Sequence, residues 1–191
     1  MDCVNLLEIV NKYLKIFPEE KERQTQLIDA IKSNRYEDLA DWNNFNGHLV
    51  ATGIIYAMED KKFVVLYHKD LKRYLCPGGH VDLTDTNMLM TARREAFEET
   101  GLEKLKEKKI CELELVPIDI DKHKIDYNER LDLPEHVHFD FRYLFVIDRI
   151  MDIKLDANEH RDYKWIDVEE LKCSESYARV ASKIKKLILN K

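Results

Sequence analysis

The sequence predicts an α+β protein in which a mixed sheet carries helices and is preceded by a helical extension. Apolar residues recur at helical spacing over residues 1–45. After Gly47 the period changes, and runs of Val, Ile, Leu and Tyr bounded by polar turns read as strands. Helical stretches then return twice, at 86–100 between strands and at 168–189 after them, so helices fall both inside and behind the sheet. The division expected from this is an N-terminal helical extension, 1–45, and a sheet-containing domain, 46–191.

In chain order, Leu6, Val10, Tyr13, Leu14 and Phe17 lie on one stripe, Pro18 starts a new segment, and Leu27, Ile28 and Ile31 make a second stripe. Such a helical pair cannot bury its apolar face alone. It should pack on the rest of the chain, on a partner subunit or on both; intramolecular packing is favoured and a homodimer is the alternative. Residues 48–58 and 62–68 read as a hairpin turning at Glu59-Asp60, and 73–76 as a short strand leading into Pro77 and a tight glycine turn. Residues 110–116 alternate as a strand, 136–147 form the clearest alternating run, and 162–166 form another. The C-terminal helix at 168–189 should bury Tyr177, Val180, Ala181, Ile184 and Leu187.

The chemistry is concentrated in Gly78-Gly79-His80-Val81-Asp82 and, after a spacer, Arg94-Glu95-Ala96-Phe97-Glu98-Glu99-Thr100-Gly101-Leu102. No proline interrupts 87–100, Asp85 or Thr86 can cap the helix start, and Gly101 stands where a left-handed glycine ends a helix. Glu95, Glu98 and Glu99 then fall at i, i+3 and i+4 and share one face, while Leu89, Ala92, Ala96 and Phe97 can be buried. Like charges so placed repel by a few tenths of a kcal/mol per pair, a conflict that a cation removes. Hard oxygen ligands with room for water and phosphate oxygens suit Mg²⁺ or Mn²⁺.

This pattern, glycine, spacer, then R-E-x-x-E-E-x-G and an aliphatic residue, resembles the Nudix box of MutT-like pyrophosphohydrolases. Arg94, Glu95, Glu98, Glu99, Gly101 and Leu102 match its second half. The first half departs: counted from Gly79, the family's glutamate position holds Asp85, and the spacer to Arg94 is one residue longer than usual. The resemblance implies a Nudix-like α/β/α sandwich and a divalent-metal-dependent hydrolase that cleaves a diphosphate linkage, as in a nucleoside diphosphate joined to another moiety. It implies Glu95, Glu98 and Glu99 as ligands of Mg²⁺ or Mn²⁺, with the Gly79 carbonyl as a further ligand, and Arg94 as the residue that orients the glutamates. Which carboxylate is the base stays open. The alternatives are a non-catalytic nucleotide-binding or regulatory module, which the intact acids count against, and an isopentenyl-diphosphate isomerase-like activity. An RNA 5′-end pyrophosphohydrolase is disfavoured by the acidic charge.

On the strand at 136–147, His136, His138, Asp140 and Arg142 point to one side, and Val137, Phe139, Phe141, Tyr143 and Phe145 to the other. The polar side reads as a solvent-facing strand surface, as pocket lining, or as a histidine metal site. Asp119, Asp121 and His123 alternate likewise and could face it across the cleft. The combination of Gly-Gly-His-Val-Asp with His-x-His-x-Asp is similar to a sparsely characterised bacterial set of Nudix proteins. Glu159 precedes an aromatic-containing segment, as a metal-reaching loop acid does in many Nudix proteins, or it is simply solvated. Arg142 and Arg73 are candidates for a phosphate clamp, and Trp165 for the core.

With 36% charged and 45% hydrophobic residues the composition is that of a globular chain, and a net charge of −6 speaks against a broad nucleic-acid surface. Cys3, Cys76, Cys111 and Cys173 show no paired spacing, so reduced thiols and a cytoplasmic location are expected. No signal peptide is recognisable, and no run approaches the ~20 apolar residues that span a bilayer.

Overall fold

In the computed structural model, which describes residues 1–108, 116–127 and 132–189, the strand β1 (His48–Ala57) is buried along its whole length. Its burial follows from its place in the sheet. Along one edge it pairs in parallel with β7 (His136–Ile147), from His48 opposite His138 to Ala57 opposite Ile147. Its other edge takes β4 (Gly78–His80) and then β2 (Lys62–His68), both antiparallel. β2 also carries β3 (Arg73–Leu75) and β8 (His160–Ile166), and the far edge of β7 carries β5 (Lys106–Glu107) and β6 (Asp119–Ile125). The expected hairpin is present, and its turn ends in Lys61 at a left-handed φ of 56°.

The helix α4 (Met88–Thr100) lies on the face of β1 and β7 to which Phe141 and Phe145 point, with Ala92 and Ala96 buried beneath it. Gly53 permits this approach, since a Cβ there would sit 2.9 Å from Ala96 Cβ and 3.0 Å from the Ala92 carbonyl. The N-terminal helices α1 (Cys3–Ile16), α2 (Thr25–Ser33) and α3 (Tyr36–Ala40) bury Leu6, Val10, Tyr13, Leu27 and Ile31 in the same apolar cluster as the sheet. The extension is thus covered within the chain.

Several expectations are corrected. Gly78-Gly79 does not turn: both residues lie in β4, neither at positive φ, and it is close packing that excludes a side chain there. Neither Asp85 nor Thr86 caps α4; Asn87 does, accepting from the Met90 N–H at 3.0 Å, because the Asp85 carboxyl is held by Arg94. Gly101 does end the helix, at φ 70°. Phe97 is 45% exposed rather than buried. The C-terminal helix is broken into α5 (Val168–Cys173) and α6 (Ala178–Ile184), followed by a wide π turn at Lys185–Leu189. Tertiary bonds win there over helical continuity: the Ser176 carbonyl accepts from Arg142 at 2.7 Å, and the Tyr177 hydroxyl accepts from the Cys76 N–H at 2.9 Å. Of the expected stripe, Tyr177, Val180, Ala181 and Ile184 are nonetheless buried, and Leu187 is half-buried. The strand expected at 110–116 lies, Val116 apart, outside the described residues, as does Cys111. Among the described residues no helix is long and apolar enough to cross a membrane.

Candidate active site

Helical spacing places Glu95, Glu98 and Glu99 on one edge of α4, and β4 passes directly over that edge. The Gly78 N–H donates to Glu99 Oε2 at 3.2 Å, and a Cβ on Gly79 would come within 2.7 Å of the Glu95 carboxylate. The glycines therefore let a strand lie on carboxylates. Glu99 is 5% exposed, and burial pushes its carboxyl up to about 9, with Glu95 and Glu159 adding repulsion against the Gly78 bond. Burial also pushes Glu95 up to about 7, despite Arg94, with Glu98 and Glu159 contributing. Beside Glu99, at 3.8 Å, stands buried His160, which desolvation lowers to about 4 and so keeps neutral.

Arg94 spends its donors inside this constellation. It reaches Asp85 at 2.9 and 3.2 Å, Glu95 at 2.8 Å, Glu98 at 3.0 Å and the His80 carbonyl at 2.8 Å. Asp85, itself buried, also accepts the Asp82 N–H at 3.1 Å. A guanidinium so occupied fixes carboxylates and strand together and has no donor left for substrate.

The carboxylate edge adjoins a cleft of about 460 Å³, lined by Gly79, Glu159, His138, Asp140 and Arg142 among others, and by Arg73 at the rim. The polar side of β7 is not a solvated surface: His136, Asp140 and Arg142 are all buried. Nor do Asp119, Asp121 and His123 face β7 across the cleft. β6 is its sheet neighbour, with Asp119 opposite Arg142, Asp121 opposite Asp140 and His123 opposite His138. Arg142 is consequently no phosphate clamp. Its nitrogens meet Asp140 at 2.8 Å, Asp121 at 2.9 Å and the Ser176 carbonyl at 2.7 Å, and it is 2% exposed. Asp140 accepts in addition from the Thr52 hydroxyl at 2.8 Å. Arg179 and Lys183 complete the network on Asp119, and Tyr13 of α1 with Glu20 and Arg23 from the segment between α1 and α2 join it from the N-terminal extension. Burial works to raise Asp119 and Asp121, yet Arg179, Lys183 and Arg142 around the first, and His123, Arg142 and Arg179 around the second, hold both below the usual carboxylate range.

Toward the start of β7 the imidazoles gather. The His48 ring lies 5.0 Å from that of His136 and 4.6 Å from that of His138, and His136 Nε2 is 3.0 Å from His138 Nε2. Burial, reinforced by neighbouring rings, holds His48 and His138 below the ordinary histidine range. His48 and His160 escape sequence reasoning because strand pairing, not spacing along the chain, brings them to the site. The alternation of His48 with Val50 and Thr52 in a strand was the only signal.

Comparison with known proteins agrees with this architecture. The family model of the NUDIX domain matches residues 47–188. A probable DHNTP pyrophosphohydrolase of Lactococcus lactis subsp. cremoris is 34% identical over 130 residues, covering 68% of this chain and 72% of the relative. Among solved structures, a C. elegans Ap4A hydrolase superposes with a TM-score of 0.57 at 18% identity, covering 75% of this chain and 98% of the other. The E. coli dihydroneopterin triphosphate pyrophosphohydrolase does so with a TM-score of 0.54 at 17% identity, covering 75% and 96%.

Proposed function

Given that the chain belongs to the Nudix family and is a hydrolase of diphosphate linkages, we propose that Glu95, Glu98 and Glu99, with the Gly79 carbonyl, hold Mg²⁺ or Mn²⁺ against the substrate's phosphates. The observation that carries this is the crowding of those carboxylates under β4, where burial and mutual repulsion favour protons on Glu95 and Glu99. All-oxygen donors on one rigid helix edge fit a hard cation and leave positions for phosphate and water. When bound, the cation screens the diphosphate charge and makes a water a better nucleophile.

The chain's own residues do the rest. Arg94 keeps Glu95 and Glu98 in place and ties them to Asp85 and the His80 carbonyl, so the ligand set is preorganised. The Gly78 N–H does the same for Glu99. Glu159 reaches the cleft from the loop before β8 and, with Glu98 and Glu99, forms the group from which the base that takes water's proton is drawn. On the substrate side, His138 and Asp140 line the cleft, His136 backs His138, and Arg142 holds the Asp140 and Asp121 carboxylates in position.

The substrate proposed is a small heterocycle bearing a di- or triphosphate, a class that includes the compound named for the lactococcal relative and the nucleoside diphosphate derivatives. A cleft of about 460 Å³ accommodates a molecule of that size. We place the protein in the cytoplasm, consistent with free Cys3, Cys76 and Cys173. Because the N-terminal stripe is covered within the chain, a homodimer is not required to bury it; size-exclusion with light scattering decides that point. The functional test is a panel of dihydroneopterin triphosphate, dinucleoside polyphosphates, nucleotide sugars, ADP-ribose and NTPs with Mg²⁺ or Mn²⁺. Turnover of at least one member should fall by about 10²-fold or more in Glu98→Gln and Glu99→Gln. Undiminished turnover in both variants overturns the ligand assignment.

A further inference from the structure

We propose that His48, His136 and His138 form a second metal site, built of nitrogen ligands for a borderline transition cation such as Zn²⁺ and separate from the carboxylate edge of α4. One ring nitrogen from each lies within 4.8 Å of the others. The backbone fixes which nitrogen is available on two of them. His136 Nδ1 is 2.7 Å from the Pro134 carbonyl and His48 Nδ1 is 3.1 Å from the Asn44 carbonyl. A carbonyl only accepts, so both rings carry their proton on Nδ1 and turn the Nε2 lone pair inward. A backbone carbonyl on the outer nitrogen is also the arrangement that holds metal-ligating imidazoles in place.

Hydrogen bonding alone does not satisfy the cluster. The 3.0 Å contact between His136 Nε2 and His138 Nε2 can be one N–H···N bond, with His138 donating. That single proton serves a single lone pair. His48 Nε2, on a ring 1% exposed, has no hydrogen-bond partner among the described residues. A buried acceptor left without a donor is costly, and one cation satisfies all three lone pairs together. Nitrogens bound to one tetrahedral ion at 2.0–2.1 Å stand about 3.3 Å apart, close to the observed contact. No carboxylate belongs to the set, so Mg²⁺ has no preference for it, whereas Zn²⁺ does.

A three-nitrogen site leaves at least one position for another ligand. His138 is the member that lines the cleft. The His80 and His123 rings, 5.5 and 5.3 Å from that of His138, flank the same opening. The ion would therefore sit at the end of the substrate cleft and contribute to binding there.

The full-length chain is stripped with a chelator, dialysed against limiting Zn²⁺ in excess Mg²⁺, and its metal content measured; Co²⁺ is bound in parallel and its absorption spectrum recorded. The expected result is about one Zn²⁺ per chain, an intense tetrahedral Co²⁺ spectrum, and retention of both in the Glu98→Gln/Glu99→Gln double variant. His138→Gln and His136→Gln should weaken Zn²⁺ binding by on the order of 100-fold. They should also abolish the Zn²⁺-induced rise in melting temperature, with circular dichroism confirming that they fold. If those variants do not fold, the wild-type Co²⁺ spectrum and the glutamine double variant decide. No retained Zn²⁺, a weak octahedral Co²⁺ spectrum, or loss of Zn²⁺ in the glutamine double variant would overturn the site.

Discussion

Adding one methyl group to each of the two adjacent glycines should give opposite outcomes, because the atoms each would meet differ in kind. At Gly78 a Cβ would stand 2.7 Å from the Ala51 carbonyl oxygen and 2.8 Å from Thr52 Cα, both main chain of β1. Ordinary contact begins near ~3.5 Å, so β4 must move off β1 by several tenths of an ångström. That movement strains the pairing of Gly78 with Thr52 and the bond from its N–H to Glu99. Overpacking of this kind costs about 1–3 kcal/mol, which at this chain length lowers the melting temperature by about 2–4 °C per kcal/mol. At Gly79 the atoms met, at 2.7–2.8 Å, are the carboxylate of Glu95, the far end of a side chain that can rotate. Its displacement breaks the 2.8 Å bond to Arg94 and costs about 0.5–1.5 kcal/mol of rotamer energy. It also removes a proposed ligand. Gly79→Ala should therefore melt within a few degrees of wild type, while Mn²⁺ affinity, read by electron paramagnetic resonance, and kcat/KM each fall about 10–100-fold. Gly78→Ala should lose more stability. Equal melting temperatures for the two variants, or undiminished Mn²⁺ binding in Gly79→Ala, would refute the reasoning.

Three further outcomes follow from the same geometry. Arg142→Met should lower unfolding stability by about 3–5 kcal/mol in urea, because Asp140 is left buried without its charged partner; a raised KM with unchanged stability would restore the phosphate clamp. The raised carboxyls give the metal-free protein a definite pH dependence. Folded values of about 7 for Glu95 and about 9 for Glu99 stand above the ordinary 4.5, so their contribution to stability is full below that value and is lost as pH rises through the folded ones. Cation binding needs the ionised forms, so Mn²⁺ affinity should climb across that window and binding near neutrality should release between about one and two protons, nearly one from Glu99 and about half of one from Glu95; calorimetry in buffers of different ionisation heat that shows no proton release contradicts the assignment. Asp85→Ala should lower kcat about 10-fold with little change in KM, by freeing Arg94 from one of its anchors; unchanged kcat would make Asp85 structural only.

What the sequence made legible is what lies close together along the chain. The acidic edge of α4 needs only helical spacing, the alternation in β7 needs only the strand period, and Gly101 announces the helix end by itself. The rest depends on pairing between distant segments. Nothing in the order of residues says that β1 runs parallel to β7 with His48 beside His138, or that β6 pairs with β7 and sets Asp121 against Asp140. Alternation alone therefore lets the two runs of ligand-type residues face each other across the cleft, when they are neighbours in one sheet. The C-terminal helix failed for the same reason: its period is intact, but Ser176 and Tyr177 are claimed by Arg142 and Cys76 from elsewhere.

The buried charges also say why the N-terminal helices belong with the site. Asp119, fully buried, receives Arg179 from α6 at 2.6 Å and Lys183 at 2.8 Å, and Lys183 in turn reaches Glu20 and the Tyr13 hydroxyl. Arg23 closes the circuit on Asp121 at 3.0 Å, and Asp121 lines the cleft. Such a network adds little net stability over an apolar core, but removing one member strands the others. It acts as a register device, fixing the extension and α6 against β6 so that the carboxylates and Arg142 beneath the cleft keep one arrangement. A chain beginning at Asn46 would lack Tyr13, Glu20 and Arg23 together. It should keep the α4 carboxylates and bind Mn²⁺, yet be less stable and raise KM more than it lowers kcat, because the part of the cleft it loosens is the substrate end. Equal KM in the truncated and full chains would show that the extension braces the fold without shaping the cleft.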